Sequence, residues 1–150
     1  MTLETDIACL RGLPLFQEMP ASRLKLVALM GERLRFPAGS TIVQDPERAD
    51  GVYVVLQGEI EFSRKREDGS GRTFQKDVGS IIGDVPLLSG KRFLGRVSAK
   101  TDVLALRIPK DLFFELLHTV PEFSLAICRD LADRVARLAN VLLQSEEPVS

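Results

Sequence analysis

The amino-acid sequence predicts an α+β fold in which helices at both ends flank a block of short β-strands. Helical apolar spacing occupies the first 31 residues and returns after Pro109, whereas the segment between them alternates apolar and polar residues and contains glycine turns. Short strands at this spacing are typical of a sandwich or barrel. We assign helices to residues 3–31 and 111–144 and β structure to residues 32–108, all within one domain that spans 1–150.

The composition is that of an ordinary globular domain. The 150 residues suffice for one hydrophobic core, and 45% of them are apolar and 27% charged. The net charge of −1 provides no basic field to attract nucleic acid or a membrane surface. No signal-peptide pattern, bilayer-spanning apolar run or cysteine framework is present in the sequence. We therefore expect a cytoplasmic protein without direct nucleic-acid or membrane contact.

The N-terminal segment predicts two helices separated by a break at Pro14. Pro20 opens the second helix near Ser22, because proline is tolerated in the first turn of a helix. This helix presents one broad apolar face, which we expect to pack against the rest of the domain. The face consists of Leu24, Val27, Ala28 and Met30.

The central segment predicts a series of short strands. They are expected at 33–36, 41–44, 52–56, 59–63, 73–78, 80–82, 97–99 and 103–108. The run 52–56 is continuously apolar, which indicates a buried central strand. The charged run 64–72 is predicted to be a solvated hairpin tip, with contact to a partner as the alternative.

The stretch 79–99 combines features of an anion-binding site. A strand-like run ends at Gly83 and is followed by Asp84 and a short helical turn that stops at Gly90. Asp84 is predicted to cap this turn, and the free amides of a helix N-terminus attract anions. Taken alone, these features also fit a structural cap beside a solvated basic surface. The cations that follow the turn are Lys91, Arg92 and Arg96.

Residues 10–143 resemble the cyclic-nucleotide-binding domain family, and the stretch 79–99, hereafter the cassette, resembles its phosphate-binding cassette. The family pattern F-G-E-x-A-L-L, then R-[ST/A]-A-x-V-x-A, is similar to I-G-D-V-P-L-L at 82–88 and F-L-G-R-V-S-A at 93–99. The run D-G-V-Y-V-V-L-Q-G-E at 50–59 also resembles the family pattern. The resemblance implies a jelly-roll-like β-roll with N-terminal helices and a long C-terminal helix. It also implies a cyclic nucleotide, cAMP or cGMP, as the ligand.

The resemblance further implies that the polar anchors of the cassette are altered. Asp84 stands where the family has a glutamate that binds the ribose hydroxyl, and Pro86 stands where a backbone N–H meets the cyclic phosphate. Phe93 replaces the phosphate-pairing arginine, and Leu94 replaces the small residue after it. Each lost charged hydrogen bond costs about 1.5–3 kcal/mol, so ordinary cAMP binding is expected to be weak.

Two nearby cations offer a replacement for the missing arginine. Arg92 reaches its position if the loop slips by one residue, and Arg96 approaches from further along the strand. The candidate ligand-binding residues are Gly83, Asp84, Val85, Leu87, Leu88, Arg92, Phe93 and Arg96.

The C-terminal helix, expected from about Pro121 to Gln144, carries a narrow apolar stripe at the 3-4 spacing of a coiled coil. Residues 119–122 have capping-box spacing, and Asp130–Arg134 and Asp133–Arg137 are spaced as i,i+4 ion pairs. We predict a two-fold homodimer through this helix, with a helix lying on its own β-roll as the alternative. In the family that the chain resembles, the matching helix also closes over the base of the bound nucleotide. The predicted seam consists of Cys128, Leu131, Val135, Leu138 and Leu142.

Two functions fit these features. The first is a regulatory module that senses a small anionic ligand between the β-roll and the C-terminal helix. The second is a ligand-free dimerisation or protein-interaction module in which Phe93 fills the former pocket. We expect no enzyme and no metal site, since the sequence contains no catalytic set or P-loop and His118 has no ligand partner at a suitable spacing. No helix-turn-helix follows the long helix, so we also expect no DNA-binding domain.

Overall fold

The computed structural model describes residues 2–44, 49–65, 71–76, 78–93 and 95–145, and it confirms the α+β class. The helices are α1 (Leu3–Arg11), α2 (Ala21–Met30), α3 (Asp84–Ser89), α4 (Lys110–Thr119) and α5 (Pro121–Ser145). The strands are β1 (Glu32–Phe36), β2 (Thr41–Val43), β3 (Gly51–Gln57), β4 (Ile60–Lys65), β5 (Gly71–Lys76), β6 (Ile81–Ile82), β7 (Arg96–Ala99) and β8 (Val103–Pro109). The tip of the predicted charged hairpin, 66–70, lies outside the described residues.

The strands form two four-stranded antiparallel sheets with strand orders β1-β8-β3-β6 and β2-β7-β4-β5. Strands that follow one another in the chain therefore often lie in different sheets, as in a jelly-roll-like β-roll. Strand β3 lies between β8 and β6, and residues 52–56 are buried except for Tyr53. This agrees with the prediction of a central strand from its continuous apolar run.

Two apolar clusters lie on opposite faces of the first sheet. Val54 points to the helix side and Val55 to the inside of the roll, because successive side chains of a strand alternate. The helix-side cluster holds three aromatic rings, with Phe123 stacked on Phe16 at 5.7 Å between ring centroids and edge-on to Phe113 at 6.0 Å. The roll cluster consists of Val43, Val55, Ile60, Ile82, Phe93, Val97, Ala99, Val103 and Ala105.

Two local predictions are wrong. Met30 is 56% exposed, because it lies at the C-terminal end of α2 beyond the buried Leu24 and Val27. The capping box does not form either, since α4 continues to Thr119 and the Thr119 hydroxyl donates to the Glu115 carbonyl oxygen at 2.7 Å.

Two features of the described residues concern membrane insertion and metal binding. No helix in this part of the chain is both long and apolar enough to cross a bilayer. The same residues contain no group of three or more His, Cys, Asp or Glu side chains that could hold a metal ion.

The Phe123 ring supports the contact between α5 and the rest of the domain, so truncating it is expected to be costly. Phe123→Ala should lower the free energy of unfolding by about 3–5 kcal/mol, because it opens a cavity in a fully buried aromatic cluster. Leu29→Ala is the control and should change it by less than about 0.5 kcal/mol, since Leu29 is exposed. Urea denaturation measures both, and equal midpoints for the two variants would contradict this packing.

Candidate functional site

Within the cassette, Gly83 connects β6 to α3. Gly83 has a φ of 98°, a left-handed conformation that glycine adopts without strain. A side chain at this position would also lie 2.8 Å from the carbonyl oxygen of Gly51 and 3.6 Å from the Phe93 ring. Close packing and backbone conformation therefore both require glycine here.

Asp84 does not cap α3, contrary to the prediction. Gly83 is the N-cap residue without a side-chain cap hydrogen bond, and Asp84 is the first residue of the helix. Its side chain is only 2% exposed, and its carboxylate accepts a hydrogen bond from Nη2 of Arg134 on α5. The carboxylate thus binds a cation on another helix instead of the amides of its own helix.

Arg134 bridges two carboxylates. Its Nη2 pairs with Asp84 and also lies 2.9 Å from the Asp130 carboxylate one turn earlier, as its i,i+4 spacing predicts. Burial lowers the pKa of Arg134, but the hydrogen bonds and charges of Asp84 and Asp130 outweigh it and raise the pKa above its usual value. Arg134 is therefore a permanent cation that connects the cassette to α5.

Sequence reasoning found the Asp130–Arg134 pair but missed the contact between Arg134 and Asp84. The two residues are 50 positions apart, and local spacing carries no signal for such a pair. The predicted ion pair between the side chains of Asp133 and Arg137 is replaced by a different contact. Arg137 Nε donates to the main-chain oxygen of Asp133 at 3.4 Å instead of to its carboxylate.

Phe93 lies inside the β-roll. Its side chain is 8% exposed and belongs to the roll cluster, where it packs beside Gly83. The position that corresponds to a phosphate-pairing arginine by spacing therefore holds a ring that completes an apolar core. Leu94, the next residue, lies outside the described residues.

The structure separates the remaining candidate residues from this interior. Leu87 is half-buried and packs against the helix-side cluster. The candidate residues that are buried are thus Gly83, Asp84 and Phe93, and Gly83 lies next to the Phe93 ring. The candidates that are exposed to solvent are Val85, Leu88, Arg92 and Arg96.

The predicted seam of α5 is largely exposed. Val135, Leu138 and Leu142 are 64%, 61% and 61% exposed, and Cys128 is an exposed free thiol. Leu131 is half-buried because it packs against the helix-side cluster of its own domain. The apolar stripe is also broader than predicted, since the exposed apolar side chains of α5 include Leu125, Val141 and Leu143.

A cleft of about 520 Å³ runs beside Arg134, between α5, the turn at 14–18 and the approach to β6 at 78–81. Charges of both signs line it, so the cleft has no clear preference for anions or cations. The acidic residues are Glu18, Glu122, Asp130 and Asp133, and the basic residues are Arg129, Arg134 and Arg137.

Comparison with known proteins identifies a matching family and several relatives in sequence. The family profile described as "Cyclic nucleotide-binding domain" matches residues 33–120. The cAMP-dependent protein kinase regulatory subunit of Aspergillus fumigatus is 32% identical over 116 residues, which cover 77% of this chain and 27% of the relative. Lysophospholipase NTE1 of Chaetomium globosum is 27% identical over 73% of this chain and 7% of the relative. The chain thus spans about a quarter of the regulatory subunit and far less of the lysophospholipase.

Solved structures agree with the fold. The catabolite activator protein of Thermus thermophilus superposes with a TM-score of 0.76 at 23% identity, over 87% of this chain and 62% of that protein. The regulatory subunit of a cAMP-independent protein kinase A from Trypanosoma brucei superposes with a TM-score of 0.74 at 20% identity, over 90% and 47%.

The Asp84–Arg134 pair should contribute measurably to stability. Arg134→Ala is expected to lower the free energy of unfolding by about 3 kcal/mol, because it leaves a buried carboxylate without its main cation. Adding Asp84→Asn to Arg134→Ala should recover part of this loss, since an amide has no charge to desolvate. Urea denaturation measures all variants. Arg137→Ala, on the exposed side of α5, is the matched control, and an equal loss in both arginine variants would contradict this role.

Proposed function

The chain belongs to the cyclic nucleotide-binding domain family, and from that premise we propose that it is a non-enzymatic regulatory module. It senses a small anionic ligand, such as a cyclic nucleotide, between the β-roll and α5. The buried Asp84–Arg134 pair carries this proposal, because it connects the cassette directly to α5. The proposal requires two positions of α5. A ligand that binds Asp84 or Arg134 more tightly in one of these positions shifts α5 toward that position.

The proposed ligand site contains Gly83, Asp84, Val85, Leu87, Leu88, Arg92, Phe93 and Arg96, and it disfavours ordinary cAMP binding. Pro86 has no N–H to offer a phosphate, and the Asp84 carboxylate already accepts from Arg134. A ligand that enters the roll must also displace the Phe93 ring from its apolar cluster, which costs about 1.5–3 kcal/mol. cAMP and cGMP are therefore weak ligands or poor analogues of the ligand that this site accepts.

A second candidate function is a ligand-free interaction module. The burial of Phe93 in the roll cluster favours it, because a filled interior keeps the cassette in one conformation. In this case the module retains the family fold and the α5 seam, and its partner is another protein.

We also propose that α5 forms a two-fold homodimer through Cys128, Leu131, Val135, Leu138 and Leu142. The exposure of most of these side chains supports the dimer, since exposed apolar side chains at coiled-coil spacing are stabilised by a matching helix. Neither nucleic acid nor membrane is part of the proposal. A cytoplasmic location is consistent with the free thiols of Cys9 and Cys128.

Calorimetric titration with cAMP and cGMP tests the role of position 93. The wild-type chain is expected to show no saturable binding at micromolar ligand. The double variant Pro86→Ala/Phe93→Arg should gain about ten- to a hundred-fold in affinity, because it restores an N–H and a charged partner for the phosphate. Pro86→Ala/Phe93→Leu is the matched control, which keeps the interior apolar and should gain much less.

Each outcome of this titration separates the two candidates or corrects the site. Micromolar binding by the wild-type chain would mean that Arg92 or Arg96 replaces the missing arginine, and the sensing function would stand with a known ligand. If the wild-type chain does not bind and the arginine variant gains affinity, cyclic nucleotides are excluded as the natural ligand, which corrects the site to one for another anion or to the ligand-free module. Absence of gain in a folded double variant would show that position 93 does not face the phosphate.

Oxidative cross-linking tests the dimer. A parallel two-fold seam places Cys128 opposite its own copy, so mild oxidation should produce a covalent dimer in the wild-type chain and in Cys9→Ser. Cys128→Ser should remain uncross-linked on non-reducing gels. Cross-linking through Cys9 instead would be incompatible with this seam.

A further inference from the structure

α5 carries a second apolar stripe immediately beside the predicted seam. Four seam residues are each followed by another apolar residue, and these followers keep the 3-4 spacing of a coiled coil. Leu143 is 66% exposed, and Leu125, at the other end of the same stripe, is 50% exposed. The second stripe consists of Leu125, Ala132, Ala136, Ala139 and Leu143, all exposed, and Arg129 occupies the 3-4 position between Leu125 and Ala132.

The two stripes face directions roughly at right angles, because each residue advances about 100° around a helix. The polar side chains in the outer half of α5, residues 135–144, all lie on the remaining side. They are Arg137, Asn140 and Gln144, which follow one another at 3-4 spacing. The outer half is therefore apolar over more than half of its circumference and exposed throughout.

A two-stranded seam does not cover such a surface. Two-stranded coiled coils bury a narrow stripe, whereas helices in bundles bury a broader face. An interface of standard size also engages about 20 residues on each partner. The predicted seam supplies five, and Leu131 is already half-buried against its own domain. A simple dimer would leave Leu125 and Leu143 in water.

We propose that four copies of this chain assemble through α5 into a four-helix bundle, with the seam joining each dimer and the second stripe joining the two dimers. This proposal rests on the dimer of the proposed function. Right-angled stripes match a square bundle, in which each helix contacts two neighbours. Further copies fit better than a charged partner, because Arg137 is the only charged residue in the outer half and lies on its polar side.

Light scattering coupled to size-exclusion chromatography, with the full chain at increasing concentration, tests the bundle. The wild-type mass should reach four chains and fall to two on dilution. Leu143→Glu should halve the mass to that of a dimer, because it places a charge in the second stripe only. Leu138→Glu, in the seam, should also abolish the tetramer, and Leu29→Glu, on the exposed side of α2, should behave as wild type.

The outcomes separate the bundle from the dimer. A wild-type mass that stays at two chains at every concentration, or a tetramer that survives Leu143→Glu, overturns the bundle and leaves the seam intact. A wild-type monomer overturns both. A wild-type dimer that binds a helix of a different protein also overturns the bundle, since the second stripe would then be occupied by that protein instead of by further copies of this chain. Circular dichroism of each variant verifies that it is folded.

Discussion

The ion pair between Asp84 and Arg134 joins the cassette to the C-terminal helix α5. Asp84 begins α3 directly after the tight turn at Gly83, and this position buries its carboxylate. Burying a carboxylate without a partner is costly, so the pair with Arg134 favours the position in which α5 lies against the cassette. Packing of Phe123 against Phe16 and Phe113 anchors the first turns of the same helix. The orientation of α5 is thus set at two points, and one of them lies within the cassette.

Inside the roll, hydrophobic packing replaces polar recognition. Phe93 completes the apolar cluster between the two sheets, at a position where the family resemblance implies a charged residue. The exposed arginines of the cassette, Arg92 and Arg96, lie outside this interior. A phosphate therefore finds its positive charges on the surface and an aromatic ring inside. This arrangement keeps the cassette connected to α5 through Asp84 and Arg134, while the interior of the roll presents an aromatic ring instead of a cation.

α5 divides into two halves with different environments. The first half buries Phe123 and Ile127 against its own domain, and the second half is exposed on every side. Burial of apolar surface is the main driving force for association, so the second half is the part of the molecule best suited to bind other chains. Arg134 lies at the boundary between the halves, so its ion pair with Asp84 connects the cassette to the start of the exposed half of α5.

The sequence by itself determined the α+β class, the order of the elements and the position of the cassette, because apolar periodicity and glycine and proline turns act locally. It also determined the Asp130–Arg134 pair, which follows from helical spacing, whereas the dimer seam on α5 stays a prediction. Only the tertiary structure decided that Asp84 pairs with Arg134 instead of capping its own helix. It likewise decided that Thr119 ends α4 and that the exposed face of α5 is broad. These features depend on which distant elements pack together. Asp84 has a choice between a cap on its own helix and a buried ion pair, and the ion pair is available only when α5 lies across the cassette.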